Sequence, residues 1–555
     1  MEILLLLLPT LPLLSAAAIR AMPQGTALRA GRLSVILIVV ELALAGALLV
    51  GQLAGYQAPV GHGIYRFLLL DPLGTLMATV IAAISLVVHV YSLRYMAEEP
   101  RYAHFFMLLD LMTAALMLMV LAGNLILLLV AWHLIGILLY FLLGFETRSR
   151  SAQRYALWTL LTYRLGDIPM VLAAALLYHA YGTLYLPKLF ELVRIAPGLD
   201  IGGWPVVGTA AALIVLSAFA RSAQFLLHTW LPYTMEGPTP VSALMHAGIV
   251  NAGAFIINRF APIFINAGSV LHWAFVVGLL TAIIGSMLML IQNDIKKSLG
   301  YSTMGQMGFM IMECGVGAFP LAIFHLIAHG LFKGTLFLNS GGVIGSARHT
   351  DNVPKNSVYT FVVERQPSAS KPSWLAMALL TVAVPALLLG FAHWFVVSDL
   401  FQEQGAIVLL FFGWMTGAQL LYSIHRMESG DPWRMVILAI VSLLIIVVGY
   451  TLISYGFGVF LYPDESMRLA IYHAASIDQP WFYILVALIT LVIFVGWLLV
   501  YRTDRRQGEL HNRRALWVNA YTHLSRELYI SDLYSLLGRA LFRLSGRLNR
   551  WLRWL

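Results

Sequence analysis

Charge is what this chain has least of. Only 11% of its 555 residues are charged, against roughly 25% in a soluble domain. Cysteine is nearly absent too: Cys314 stands alone, which excludes intrachain disulfides and cysteine-based metal clusters. No Cys/His string has zinc-ligand spacing, and His325–His329 lacks the acidic residue that a zincin helix sets between its histidines. The chain is therefore expected to hold no metal, no cofactor and no catalytic residue of its own. Its net charge of +9 does not point to nucleic acid, because topology and a basic tail account for it.

What fills the space is apolar: 60% of residues are hydrophobic and the mean hydropathy is +0.82. Cut into runs of about 20 residues, the chain offers about fifteen membrane spans. They lie near 3–19, 33–54, 70–91, 104–120, 125–145, 156–181, 206–232, 241–260, 271–291, 299–314, 319–344, 374–397, 406–423, 435–454 and 481–501. The expected fold is an all-α polytopic membrane bundle over 1–501, followed by a cytoplasmic tail over 502–555.

Basic residues fix an orientation. Arg20, Arg29 and Arg32 follow the first span, Arg94 and Arg101 the third, and Arg148, Arg150 and Arg154 the fifth. Lys296 and Lys297 follow the ninth, and Arg348, Lys355, Arg365 and Lys371 the eleventh. All fall on one side if the N-terminus is outside, and the C-terminus is then cytoplasmic. The opposite side carries Asp464, Glu465 and Asp478, with a minority of basic residues. The first apolar run is expected to be a retained helix: Met1-Glu2 ahead of it carries no Lys or Arg, unlike a secretory leader.

In the tail, Arg539, Arg543, Arg547, Arg550 and Arg553 alternate with Leu537, Leu541, Leu544, Leu548, Trp551 and Leu552 at helical spacing. This is a basic amphipathic helix. It suits either anchoring on anionic lipid or docking on a partner subunit.

The most informative stretch runs from Arg221 to His246. It places Arg221, His228, Glu236, His246 and the prolines Pro232, Pro238 and Pro240 between runs greasy enough for lipid. Charges and interrupted helix at membrane depth persist where they line a hydrated path or bind an ion. Arg221 cannot readily release a proton, so it would bias its neighbours, whereas His133 and His246 could carry one. Further along, His325, His329 and Lys333 stand at i, i+4 and i+8 and form one stripe on a helix. A stripe of three basic groups needs water between them or acceptors opposite; a structural polar seam is the blander alternative. Arg164 and Asp167, at i and i+3, could simply neutralise each other, and Glu41 and Asp110 read singly as helix-end or packing features.

These strings carry a family resemblance. His228-Thr-Trp-Leu-Pro232, Met235-Glu-Gly-Pro-Thr-Pro-Val-Ser-Ala-Leu244, Asp294-Ile-Lys-Lys-Ser-Leu-Gly-Tyr-Ser-Thr-Met304 with Gln306, and Phe324-His-Leu-Ile-Ala-His329 with Lys333 resemble the antiporter-like chain 5/L-type subunits of respiratory complex I. The similarity spans about 70–344 and implies inverted helix repeats with broken helices. It also implies a proton or cation path through His133, Asp167, Arg221, His228, His246, Lys296, His325, His329 and Lys333.

There are departures. The family's fifth-span Trp-Glu is Trp132-His133 here, its titratable lysine is Arg221, and its late Phe-Ser-Lys-Asp-Glu string has no match in Ala392–Asp399. The long lateral helix is missing as well. A shortened chain with Ala243-Leu-Met-His246-Ala-Gly-Ile-Val-Asn251 most resembles the membrane subunits of bacterial DAB inorganic-carbon accumulation complexes. That resemblance implies an inner-membrane location and a cytoplasmic, zinc-dependent DabA-type partner similar to β-carbonic anhydrases. The pair would convert CO2 to bicarbonate, energised by flow of H+ or Na+. A subunit of an Mrp-type cation/proton antiporter and a non-conducting membrane scaffold are the competing readings.

Overall fold

The computed structural model describes residues 1–23, 27–56, 63–292, 294–339, 373–395, 432–478, scattered positions between 480 and 498, and 514–552. Helices account for nearly all of it. They are α1 Glu2–Ala21, α2 Ala27–Leu53, α3 Pro72–Tyr95, α4 Tyr102–Val120, α5 Leu125–Leu143, α6 Arg150–Tyr181 and α7 Leu186–Ile195. There follow α8 Val206–Arg221, α9 Thr239–Leu244, α10 Ala252–Arg259, α11 Ala261–Phe264, α12 Gly268–Ile291, α13 Ile295–Gly315 and α14 Phe319–Asn339. Helices also span Trp374–Phe395, Pro432–Leu461, Glu465–Ala474, Arg514–Ser525 and Ile530–Leu552. Among the described residues, 9 helical stretches are long and apolar enough to cross a membrane. The expected span at 406–423 lies outside the described residues.

The helices begin where the sequence supplies caps. Asp71, Asn124, Ser149 and Asp294 each accept a bond from a first-turn amide, at 2.9, 2.8, 3.2 and 2.8 Å. At the start of Glu465–Ala474, the Ser466 hydroxyl and amide both donate to Asp464 and hold its carboxyl below the usual range.

The faces invert the pattern of a soluble protein. On α12, Trp273, Val276, Leu280, Ile283 and Leu290 point outward while Leu271, Ala274, Gly278, Ala282 and Gly285 are buried. Polar side chains are inside, as lipid demands.

Helices α1 to α4 pack together, and α5, α6 and α8 follow on as successive neighbours of α4. A second group pairs α12 with α13 and α13 with α14, and this repeated pairing suggests an internal repeat. The α12–α13 pair is a glycine seam. A Cβ added to Gly308 would lie 2.5 Å from the Ala282 nitrogen, and one added to Gly285 would lie 2.6 Å from the Gly305 nitrogen. The two backbones are in contact, an approach that only small residues permit.

One end of the first group is laced through its loops. Gly123 donates to the Phe67 carbonyl (2.7 Å) and Leu186 to the Gly123 carbonyl (2.9 Å). Arg259 from α10 pairs with Asp71 (2.5 Å) and donates to the Val120 carbonyl (2.7 Å).

Candidate functional site

The expected 206–232 span ends as helix at Arg221. The cause lies ahead of the prolines: Ala223 and Leu226 adopt left-handed conformations, at φ 45° and 73°, each costing on the order of 1–3 kcal/mol. Surrounding contacts hold the strain in place. The Phe225 amide donates to Thr281 Oγ1 on α12 (2.9 Å), and Ser222 Oγ donates to the Val250 carbonyl (2.6 Å). Tyr534, from the tail helix Ile530–Leu552, donates to the Leu226 carbonyl. Pro232, Pro238 and Pro240 sit at the starts of the next helical turns, where a missing N–H costs nothing.

Arg221, 1% exposed, is the centre of the first cluster. Its Nη2 donates to Asp167 Oδ1 (3.2 Å) and to the Trp132 carbonyl. Its guanidinium lies between the rings of Trp132 (4.4 Å) and Tyr163 (4.2 Å), with Trp230 edge-on to Tyr163. The other oxygen of Asp167 meets Arg164 Nη2 and His133 Nδ1, both at 3.0 Å. Arg164 Nη1 contacts both ring nitrogens of His133, at 2.7 Å from Nε2. Arg164 and Asp167 do pair within α6, yet Asp167 also bridges to α5 and α8.

The second cluster gathers His246, His325, His329 and Lys333, all buried. His246 lies in a π turn, Met245–Ile249, where the helix carries one extra residue per turn, a feature frequent at functional sites. It stacks on Phe337 (4.3 Å, 14°). Gly330 lets α14 approach this turn, since a Cβ there would lie 2.5 Å from the Ala247 carbonyl oxygen. Lys333 and His329 are both within electrostatic reach of His246. The His329 ring lies 6.3 Å from that of His325, and neither nitrogen of His329 or of His246 has a protein partner among the described residues.

His325 is anchored. Its Nδ1 is 3.1 Å from both oxygens of Glu313, and its Nε2 is 2.8 Å from Gln306 Oε1. With acceptors on both sides the ring fits an imidazolium; a half-turn of the Gln306 amide would make it a donor to Nε2 and fit the neutral ring.

Glu313 escaped the sequence reading. The signal was available, for it is the one carboxylate in the apolar run 299–314. His228 lies in the broken stretch, stacked on Phe225 (6.0 Å), and neither of its nitrogens has a partner among the described residues. Lys296 does not join either cluster: it is half-buried in the first turn of α13 and has no ion pair among the described residues.

The tail is tied to the break at a second point. Glu527, 7% exposed, accepts from Tyr233 (2.8 Å) and Ser531 (2.5 Å). Glu527, Leu528 and Tyr529 all have positive φ, so the chain turns sharply before the last helix. Trp158 meets Tyr534 edge-on at 5.3 Å and donates to Thr229 Oγ1 (3.2 Å).

Comparison with known proteins places the family and the fold. Residues 122–418 match the model of the NADH:quinone oxidoreductase/Mrp antiporter transmembrane family, and residues 64–106 match that of the complex I chain 5 N-terminus. A "Probable inorganic carbon transporter subunit DabB1" from Halothiobacillus neapolitanus is 55% identical over 99% of both chains. NADH-ubiquinone oxidoreductase chain 5 of Metridium senile is 32% identical over 70% of this chain and 66% of its own length. In fold, the chain is similar to a subunit of an archaeal membrane-bound sulfane sulfur reductase (TM-score 0.55, 19% identity, covering 96% of this chain and 99% of that one). A subunit of the Mrp complex from Dietzia sp. gives a TM-score of 0.53 at 22% identity, covering 98% of this chain and 63% of that one.

Proposed function

Because the chain belongs to the NADH:quinone oxidoreductase/Mrp antiporter transmembrane family, we propose that it is the ion-conducting membrane subunit of an inorganic-carbon uptake complex. It is a multi-pass transport and energy-coupling subunit rather than an enzyme. The end-to-end likeness to an inorganic carbon transporter subunit favours this reading over an Mrp-type antiporter. The observation that carries conduction is the buried row of Glu313, His325, His329, Lys333 and His246. Imidazoles without protein partners, beside an ammonium and a carboxylate, can pass protons along such a row once water bridges them. In the first cluster Arg221 holds a fixed positive field, while His133 and Asp167 are the groups able to exchange a proton.

The remaining parts of this reading rest on the charge pattern of the sequence and on the resemblance to DAB membrane subunits. About fifteen spans would place the N-terminus outside and the C-terminus in the cytoplasm of a bacterial inner membrane. The basic amphipathic tail would then meet a cytoplasmic, zinc-dependent carbonic-anhydrase-type partner that turns CO2 into bicarbonate. The test is CO2-dependent growth of a carbonic-anhydrase-deficient host expressing the chain with that partner. His329→Ala or Lys333→Met should abolish rescue while the complex still assembles. Full rescue with both residues replaced would remove conduction through this row and leave a membrane scaffold.

A further inference from the structure

A separate polar cluster lies among α1 to α4, outside both groups described above. Asp110 on α4 accepts from Ser34 of α2 (2.6 Å) and Ser15 of α1 (2.7 Å), and its Oδ1 is 3.1 Å from His89 Nε2 on α3. All four side chains are fully buried. The other nitrogen of His89, Nδ1, faces the Ser85 carbonyl at 2.7 Å. A carbonyl can only accept, so Nδ1 carries a hydrogen. One further proton must then lie between Nε2 and Asp110, whichever atom holds it, and the pair is neutral overall.

Glu41 stands on the same face of α2 as Ser34, two turns on, and is also fully buried. Neither of its carboxyl oxygens has a hydrogen-bond partner among the described residues, and the charged group it senses is Asp110. The helices packed on α2 bring Ser15, His89 and Asp110 to this region. With the His89–Asp110 pair already neutral, nothing there offsets a Glu41 carboxylate. A buried, unpaired carboxylate is costly and calls for a positive partner of its own. A proton on the Glu41 carboxyl itself removes that cost.

We propose that Glu41, beside the His89–Asp110 pair, is a further proton-binding site of this chain, one that holds a single exchangeable proton. Infrared difference spectroscopy of the whole complex in lipid nanodiscs tests it without relying on transport, so its failure is distinct from failure of the conduction reading. The wild type should show the carbonyl stretch of a protonated buried carboxyl that shifts in D2O and fades as pH rises. Glu41→Gln should lose that band, and Glu41→Asp, which keeps the group, should shift it. A band unchanged in both variants overturns the proposal. So does a Glu41 band that responds to added Na+ at fixed pH and not to pH itself, because the site would then take a metal cation. If Glu41→Gln does not assemble, the Glu41→Asp spectrum decides alone.

Discussion

The pairing of Arg221 with Asp167 can be tested by removing one charge. In Asp167→Asn, a guanidinium 1% exposed loses the one carboxylate within ion-pair distance of it among the described residues. Breaking a buried pair costs about 3–5 kcal/mol, because the remaining charge is left uncompensated. The Trp132 carbonyl and the two flanking rings still hold Arg221 in place, and the Asn carbonyl can accept one bond. The loss should therefore lie at the low end, about 3 kcal/mol, or more than a hundredfold in the folded-to-unfolded ratio. Denaturant unfolding of the purified chain in detergent would read it. The second arm is the double variant Asp167→Asn/Arg221→Met, in which no buried charge is stranded. It should be at least about 1 kcal/mol more stable than the sum of the two single losses. A single variant within about 0.5 kcal/mol of wild type, with additive losses, would refute the counter-ion role.

Other consequences can be checked the same way. Glu313→Gln removes the carboxylate that holds His325 and should abolish energised uptake while recovery of the complex, measured by pull-down, stays normal; normal uptake would take Glu313 out of the row. Gly330→Ala places a methyl against the Ala247 carbonyl and should cost about 1–3 kcal/mol by overpacking. Its uptake should fall as His246 is pushed away from His329, and an unchanged melting temperature would show that α14 yields freely. Deleting the residues after Gly508 removes both tail ties to the broken stretch and should lower recovery of the complex. Full recovery of the partner with the truncated chain would leave lipid anchoring as the role of the tail.

Periodicity within one helix was legible; pairing between helices was not. The stripe of His325, His329 and Lys333 could be read from spacing because i, i+4 and i+8 share a face whatever surrounds them. The apolar stretches that form the 9 membrane-length helices among the described residues were legible for the same local reason, whereas the end of helix at Arg221 was not, since the prolines placed the break later. Asp167 was different: its i−3 partner Arg164 gave a complete local explanation, and only the fold shows that its second oxygen turns to Arg221, 54 residues away. Glu41 and Asp110 looked like packing features singly because the groups around them sit on other helices. The left-handed residues Ala223 and Leu226 carry no local signature at all, since the contacts that enforce them come from α12, the π turn and the tail.

The seam between α12 and α13 bears on which parts of the row can move. Two backbones in contact along a run of glycines cannot slide or rotate without collision, so the pair behaves as a single stiff rod. Glu313 and Gln306 ride on that rod and present their acceptors at a fixed address. Any cycle of loading and unloading at His325 must then be carried by what is soft: the half-turn of an amide, the rotamers of His329 and Lys333, and the extra residue in the turn that holds His246. The stationary wall is the reference against which a proton's arrival can be felt a helix away.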